Sequence, residues 1–109
     1  MRRGDIWTVA GGPDYAGKPR PVVVVQDDRF SDIDSVTICP FTTNATPAPL
    51  VRVVVAPSDA NGLNAVSRLM ADKLTTVSRE KLGRRLGRLD DATMLKLDRA
   101  MLVFLGMAG

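Results

Sequence analysis

Histidine is absent from this chain of 109 residues, and cysteine occurs once, at Cys39. Without histidine the chain lacks the commonest general base and the commonest metal ligand, and one cysteine can form neither an internal disulfide nor a cysteine-rich zinc site. Serine–histidine triads, cysteine–histidine pairs and zinc hydrolases are therefore excluded as mechanisms. Any catalysis has to use the other polar side chains.

Long apolar runs are also absent. The longest candidate, residues 101–105, is far shorter than the roughly 20 residues that span a bilayer. The basic start of the sequence is not followed by the apolar segment of a signal peptide. We therefore expect a cytoplasmic protein that is not processed and does not enter a membrane. The length, with 45% hydrophobic and 25% charged residues, predicts one folded domain over residues 1–109.

Alternating and β-branched segments predict a mainly β chain. The expected strands are residues 4–10, 22–25, 36–41, 51–55 and 83–89, and residues 66–77 form either one long bent strand or two short ones. The unbroken valine run at 22–25 predicts a central strand that is buried on both faces. Between the later strands, residues 78–82 are expected to form one helical turn capped by Ser78.

One helix is predicted, near the end of the sequence. Asp90 and Asp91 supply an N-cap and favourable charge at its start, and Gly106 ends it. The apolar positions between them recur at helical spacing: Met94, Leu97, Met101 and Phe104. We expect five to seven short antiparallel strands that form a small barrel or curled sheet, with this helix packed on it.

The charged residues are unevenly distributed, although the net charge is only +3. Residues 79–88 contain five basic side chains and one acid, Glu80. This basic segment could contact RNA phosphates, meet an acidic partner, or simply form a solvated face. The acids at residues 27–34 lack the glycine and terminal glutamate of a calcium loop, so we interpret them as a solvated turn and predict no metal site.

Polar side chains at predicted strand ends suit phosphate chemistry. Arg20 precedes the central strand, and Thr42 and Thr43 end the next one. Asp72 is expected within the later strand segment at residues 66–77, and Asp14 in the loop before Arg20. An arginine can hold a phosphodiester through its two-pronged guanidinium group, and a hydroxyl can stabilise charge that develops on phosphorus. Because RNA supplies its own nucleophile, the 2′-hydroxyl, its cleavage needs only a base, a cation and an acid.

Several motifs in fixed order then indicate a family. They are Arg-Gly-Asp-Ile-Trp at residues 3–7, Arg-Pro-Val-Val-Val-Val at 20–25, Pro-Phe-Thr-Thr at 40–43, Ala-Asp-Lys at 71–73 and Gly-Arg-Leu at 87–89. With them the chain resembles the MazF/PemK toxins over nearly its whole length. The resemblance implies an SH3-like barrel with a C-terminal helix, a homodimer, and the toxin role in a type II toxin–antitoxin system.

The resemblance also implies an activity and its partners. It implies a sequence-specific endoribonuclease, an mRNA interferase, that cleaves single-stranded RNA without metal or other cofactor. The products would carry 2′,3′-cyclic phosphate and 5′-hydroxyl ends. The implied protein partner is an acidic, MazE-like antitoxin, whose disordered tail would occupy the RNA channel and fold as it binds.

Site residues are carried over position by position. Arg20 and Thr42 match the catalytic arginine and threonine of the family, and Asp72 matches a carboxylate near the RNA channel. Family members often have Glu or His in the loop before the arginine, where this chain offers only Asp14, Tyr15 and Lys18. This leaves the identity of the general base open, and of the three we predict Asp14. The predicted RNA-binding residues are Tyr15, Lys18, Thr43, Asp72, Lys73 and Arg85.

Two other functions remain compatible with the sequence. The same barrel could be a non-enzymatic toxin that poisons a DNA topoisomerase, which would require no arginine–threonine site. Alternatively, it could bind RNA through its basic segment without cleaving it. Among single residues, we assign Trp7 to the core or a dimer contact rather than to base stacking, and Cys39 to an inert buried position.

Overall fold

The structure is a computed structural model that describes residues 1–10 and 18–108. In this part of the chain, seven strands precede one helix. The strands are β1 (Asp5–Val9), β2 (Arg20–Val24), β3 (Ser35–Thr42), β4 (Arg52–Val55), β5 (Ser67–Met70), β6 (Thr75–Ser78) and β7 (Leu82–Arg88), and the helix is α1 (Asp91–Phe104). This confirms the prediction of five to seven strands followed by a C-terminal helix.

All strand pairs are antiparallel, in the order β4-β5-β3-β2-β1-β7, and β6 pairs with β3. The eight-residue β3 is the centre of the sheet. One edge of β3 pairs with β2, and the other edge is divided between β6 at its start and β5 at its end. Within the described residues β4 and β7 do not pair with each other, so the sheet is not closed into a complete barrel.

The valine run is buried on both faces, as predicted. Val23 belongs to the main core, which also contains Ile6, Leu69 and Leu97. Val22 and Val24, on either side of Val23, point the other way into a second and smaller cluster with Val36 and Ile38. Because successive strand residues face opposite sides, β2 contributes to two apolar clusters at once.

The helix begins where the aspartates predicted it. The Asp90 side chain accepts a hydrogen bond from the Thr93 backbone N–H at 3.1 Å, which satisfies one of the free amides of the first turn. The buried positions of α1 are Met94, Leu97 and Ala100. Phe104, which was predicted on the apolar face, is 47% exposed, so the buried face ends one turn earlier than expected.

The segment between β5 and β7 decides between one long bent strand and two short ones. It also corrects the predicted places of Asp72 and of the Ser78 cap. Residues 66–77 form two strands, separated by a 3-10 turn at Ala71–Lys73. Asp72 therefore lies in a turn and not within a strand. A second 3-10 turn occurs at Arg79–Lys81, but the Ser78 side chain makes no capping hydrogen bond and instead contacts Glu80 at 3.4 Å.

No helix in the described part of the chain is long and apolar enough to cross a membrane.

Candidate functional site

Arg20 and Thr42 lie at the same end of two paired strands. Arg20 is the first residue of β2, and Thr42 is the last residue of β3. The antiparallel register pairs Val22 with Pro40, so continuing it by two residues places Arg20 opposite Thr42. Since alternate residues share a face, both side chains belong to the face that carries the second apolar cluster.

Two adjoining cavities open at this end of the strands, and Arg20 and Thr42 line both. The more polar cavity, of about 370 Å³, also contacts Thr43, Asn44 and Ser67. The more apolar cavity, of about 430 Å³, extends over Val22, Ile38 and Val77 and has Lys73 in its wall. Together the two cavities place a guanidinium, an ammonium and several hydroxyls around one apolar floor.

A larger cavity of about 580 Å³ lies elsewhere, between β1, β7 and residues 62–64. Among the described residues, Arg84 is the one charged side chain that lines this larger cavity, and Pro21 is the one residue that the larger cavity shares with the polar cavity beside Arg20. We place the candidate site at Arg20 and Thr42 despite the smaller volumes there. The reason is that the groups able to bind and activate a phosphodiester converge in those cavities.

The Thr42 hydroxyl has a defined orientation. Its Oγ1 accepts a hydrogen bond from the Asn44 backbone N–H at 3.1 Å. Because a hydroxyl oxygen occupied in this way still carries its own hydrogen, Thr42 can donate that hydrogen into the cavity. This contact therefore leaves the Thr42 hydrogen available to a ligand oxygen.

The loop after Thr42 is held by further hydrogen bonds. The Asn44 side-chain oxygen accepts from the backbone N–H and the hydroxyl of Thr46, at 2.8 and 2.7 Å. Arg68 on β5, which pairs with Thr42 in the sheet, donates to the carbonyls of Ala45 at 2.7 Å and Thr46 at 3.1 Å. These bonds fix the loop that forms one wall of the polar cavity.

Asp72 lines neither cavity beside Arg20. Its two carboxylate oxygens accept from the Arg52 guanidinium at 2.9 and 3.1 Å, and both side chains are mostly buried. The hydrogen bonds from Arg52 lower the pKa of Asp72, and the same contact raises the pKa of Arg52. Lys73, the next residue, is exposed and lines the apolar cavity.

Arg85 lies on β7, away from both cavities that contain Arg20. Its guanidinium is 3.4 Å from a carboxylate oxygen of the buried Asp5, which Arg88 also approaches at 3.5 Å. The cluster of basic side chains on β7 is exposed, as predicted for this strand. Whether Arg85 contacts RNA stays a prediction.

Three predicted residues belong to the segment before β2. Asp14 and Tyr15 lie outside the described residues, so their assignments as general base and RNA contact stay predictions. Lys18 is described and exposed, two residues before Arg20, and it lines neither cavity beside Arg20. Its role in RNA binding also stays a prediction.

Trp7 and Cys39 pack with apolar residues of the fold. Cys39 is fully buried, as predicted, and burial raises the pKa of its thiol to about 12. Trp7 is half-buried against the second apolar cluster, in agreement with a packing role. Its indole N–H is buried and has no acceptor among the residues that the structure describes.

In the acidic segment at residues 27–34, Asp27 pairs with a basic side chain two residues along the chain. Asp27 accepts from the Arg29 backbone N–H at 2.8 Å and pairs with its guanidinium at 3.1 Å. Within residues 1–10 and 18–108, no three His, Cys, Asp or Glu side chains form a group that could hold a metal ion.

Sequence reasoning missed three side chains at the site. Arg52 and Arg68 were missed because their partners lie 20 or more residues away in the chain. One signal could have found Arg52: a charged residue inside the valine-rich β4 needs a buried partner, and Asp72 provides it. Asn44 was missed because its contribution depends on the loop conformation.

Comparisons with known proteins agree in family and fold. The family profile of the PemK-like, MazF-like toxins of type II toxin–antitoxin systems matches residues 2–105. A protein of Mycolicibacterium smegmatis named Probable endoribonuclease MazF is 57% identical over 109 residues, which is the full length of both chains. Endoribonuclease MazF9 of Mycobacterium tuberculosis is 29% identical over 116 residues, with 98% of each chain covered.

A solved structure gives the same result for the fold. It is described as an endoribonuclease in complex with its cognate antitoxin from a mycobacterial species. It superposes with a TM-score of 0.82 at 26% identity, and the match covers 100% of this chain and 98% of that one.

Proposed function

The chain belongs to the PemK-like, MazF-like toxins of type II toxin–antitoxin systems, and we propose that it acts as a sequence-specific endoribonuclease on single-stranded RNA such as mRNA. The observation that carries this proposal is that Arg20 and Thr42 face each other at the paired ends of β2 and β3, in cavities that they share. The endoribonuclease names of its relatives support the same activity.

The proposed reaction is attack by the RNA 2′-hydroxyl on the neighbouring phosphorus. The 2′-oxygen forms a bond to phosphorus while its proton passes to a base, for which we propose Asp14. The bond from phosphorus to the 5′-oxygen then breaks, and that oxygen keeps the electron pair of the bond and takes up a proton from water. The products are a 2′,3′-cyclic phosphate and a 5′-hydroxyl end, and the reaction requires neither a metal ion nor another cofactor.

Arg20 and Thr42 stabilise the charge that develops in this reaction. A guanidinium stays protonated at neutral pH, so we assign Arg20 to clamp the non-bridging phosphate oxygens and not to act as a base. The Thr42 hydroxyl, whose oxygen already accepts from Asn44, donates its hydrogen to the same oxygens. Thr43 and Lys73 line the adjoining walls and contact flanking parts of the RNA.

The remaining parts of the proposal concern partners and location. We assign Tyr15, Lys18 and Arg85 to RNA binding outside the cavities. The chain functions in the cytoplasm as a homodimer, and an acidic MazE-like antitoxin inhibits it. The solved relative in complex with its cognate antitoxin supports such a partner.

The test is to incubate the purified protein with a long single-stranded RNA in excess EDTA and to map the new ends. We expect cuts at one short motif with cyclic phosphate and 5′-hydroxyl ends. A Thr42→Val variant, purified identically, controls for contaminating nucleases. Intact RNA from a protein that still arrests cell growth would contradict the proposal and favour a non-enzymatic toxin, whereas salt-sensitive RNA binding without products would favour an RNA-binding protein.

A further inference from the structure

Two charged groups of opposite sign are adjacent where Lys73 enters the cavity beside Arg20. Asp72 and Lys73 are consecutive in the 3-10 turn Ala71–Lys73. Lys73 is close enough to lower the pKa of Asp72, although Arg52 lowers it more. An unneutralised carboxylate at this point would attract the Lys73 ammonium and repel an RNA phosphate.

Arg52 prevents the Asp72 carboxylate from competing with an RNA phosphate for the Lys73 ammonium. Its guanidinium binds both Asp72 oxygens, and the two side chains are only 17% and 23% exposed. A two-pronged contact of this kind satisfies the carboxylate and screens its charge. Arg52 comes from β4, whereas Arg20 and Thr42 come from β2 and β3, so this strand contributes to the site without lining the cavities beside Arg20.

The backbone fixes the turn at the preceding residue. Ala71 is fully buried, and its N–H donates to the Val51 carbonyl at 2.9 Å, next to Arg52. The start of the turn is therefore anchored independently of the ion pair. Loss of the ion pair alone should alter the charge beside Lys73 more than the position of the turn.

We propose that Arg52 is a positioning residue that neutralises Asp72, so that the Lys73 ammonium is available to an RNA phosphate in the cavity shared with Arg20 and Thr42. This inference rests on the proposed function. It assigns Asp72 a role through Lys73, in place of the direct RNA contact that the sequence predicts.

The test measures RNA affinity for a set of variants of the full chain. The probe is a single-stranded RNA that contains the mapped cut motif and carries a 2′-O-methyl group at the cut nucleotide, so that it binds without being cleaved. We expect Arg52→Gln and Lys73→Gln each to raise Kd about tenfold, the size of one charge-assisted contact. Arg99→Gln removes an exposed helix charge and is the matched control, with Kd within about twofold of the parent.

The double substitution tests charge neutralisation, and thermal unfolding of the same variants separates it from a purely structural role. Arg52→Gln with Asp72→Asn removes the exposed carboxylate, so Kd should return to within about threefold of the parent. An ion pair that only maintained the fold would instead make Kd follow the thermal unfolding temperature of the variants, because removing both charges also relieves the unpaired charge that Arg52→Gln leaves. Thermal unfolding of each variant confirms that binding is measured on folded protein.

The outcomes are distinguishable from failure of the proposed function. If the parent protein neither binds nor cleaves RNA, the proposed function fails. If it binds RNA and the double variant binds no better than Arg52→Gln, the role of Arg52 is wrong and the function stands. Should Arg52→Gln not fold, Asp72→Asn alone decides: a Kd within about threefold of the parent is expected, and a tenfold weakening would overturn the proposal.

Discussion

The Thr42 side chain is held by a hydrogen bond at the candidate site. Its oxygen accepts from the Asn44 N–H, which leaves its hydrogen for a ligand. The sequence predicted that a threonine would lie at this strand end, but not which way its hydroxyl is directed. That direction depends on the loop conformation, which Asn44 and Arg68 hold through contacts with Thr46 and Ala45.

Replacing Thr42 by valine should therefore impair chemistry more than binding. Valine keeps the shape of the side chain and removes the donor, so we expect kcat for RNA cleavage to fall about 100-fold with little change in KM. Thr42→Ser keeps the hydroxyl and is the matched control. Steady-state cleavage rates over a range of RNA concentrations give the comparison, and a valine variant that cleaves at the parent rate would exclude Thr42 from the reaction.

At the scale of elements, the residues that were predictable are those whose neighbours in the sequence determine their environment. The valine run of β2 and the aspartate cap of α1 depend on local pattern, and both were located correctly. The division of residues 66–77 into β5 and β6 remained open in the sequence. It depends on the buried Ala71 and on the bond of its N–H to Val51, 20 residues earlier.

The cap of α1 gives a stability prediction for an element. Asp90→Ala should lower the free energy of unfolding by about 1 kcal/mol, because the Thr93 N–H loses its acceptor. Asp90→Asn keeps an acceptor oxygen and should cost less. Urea unfolding of the three proteins measures both differences.

The stability difference between the parent and Asp90→Ala should depend on pH in a definite direction. Hydrogen bonds from Thr93 lower the pKa of Asp90. A carboxyl whose pKa is lower in the folded state stabilises the protein above its unfolded-state pKa, and this contribution disappears as pH falls through the folded-state value. The difference in free energy of unfolding between the parent and Asp90→Ala should therefore become smaller at acidic pH. A difference that is constant from neutral pH to about pH 2 would contradict a role for the ionised carboxylate.

At the scale of the whole molecule, the fold keeps the acidic segment 27–34 away from the candidate site. Arg20 and Thr42 lie at one end of the β2–β3 pair, and the acidic segment 27–34 connects the other ends. The strands between them are about 15 Å long, beyond the Debye length at physiological salt. The site for an anion is thus kept away from the main acidic cluster, although the net charge of +3 is small.

The arrangement of β2 and β3 also shows which parts of the candidate site could be predicted from the sequence. Arg20 and Thr42 were selected from the sequence as polar residues at predicted strand ends, and the family resemblance matched them to a catalytic pair. The register that places them opposite each other comes from the fold. Asp72 shows the opposite case. Its position in the motif suggested a contact with RNA, but its carboxylate is occupied by Arg52, which only the folding of β4 against the turn could bring to it.

The most direct measurement of the central claim is the rate of RNA cleavage, in excess EDTA, by the parent protein, Arg20→Ala, Arg20→Lys and the control Arg99→Ala. We predict that Arg20→Ala lowers kcat/KM at least about 100-fold, that Arg20→Lys is intermediate because it keeps the charge without the two-pronged geometry, and that the control is unchanged. All four should share one thermal transition. Cleavage by Arg20→Ala at the parent rate, with the same ends, would contradict the claim that Arg20 and Thr42 form the active site.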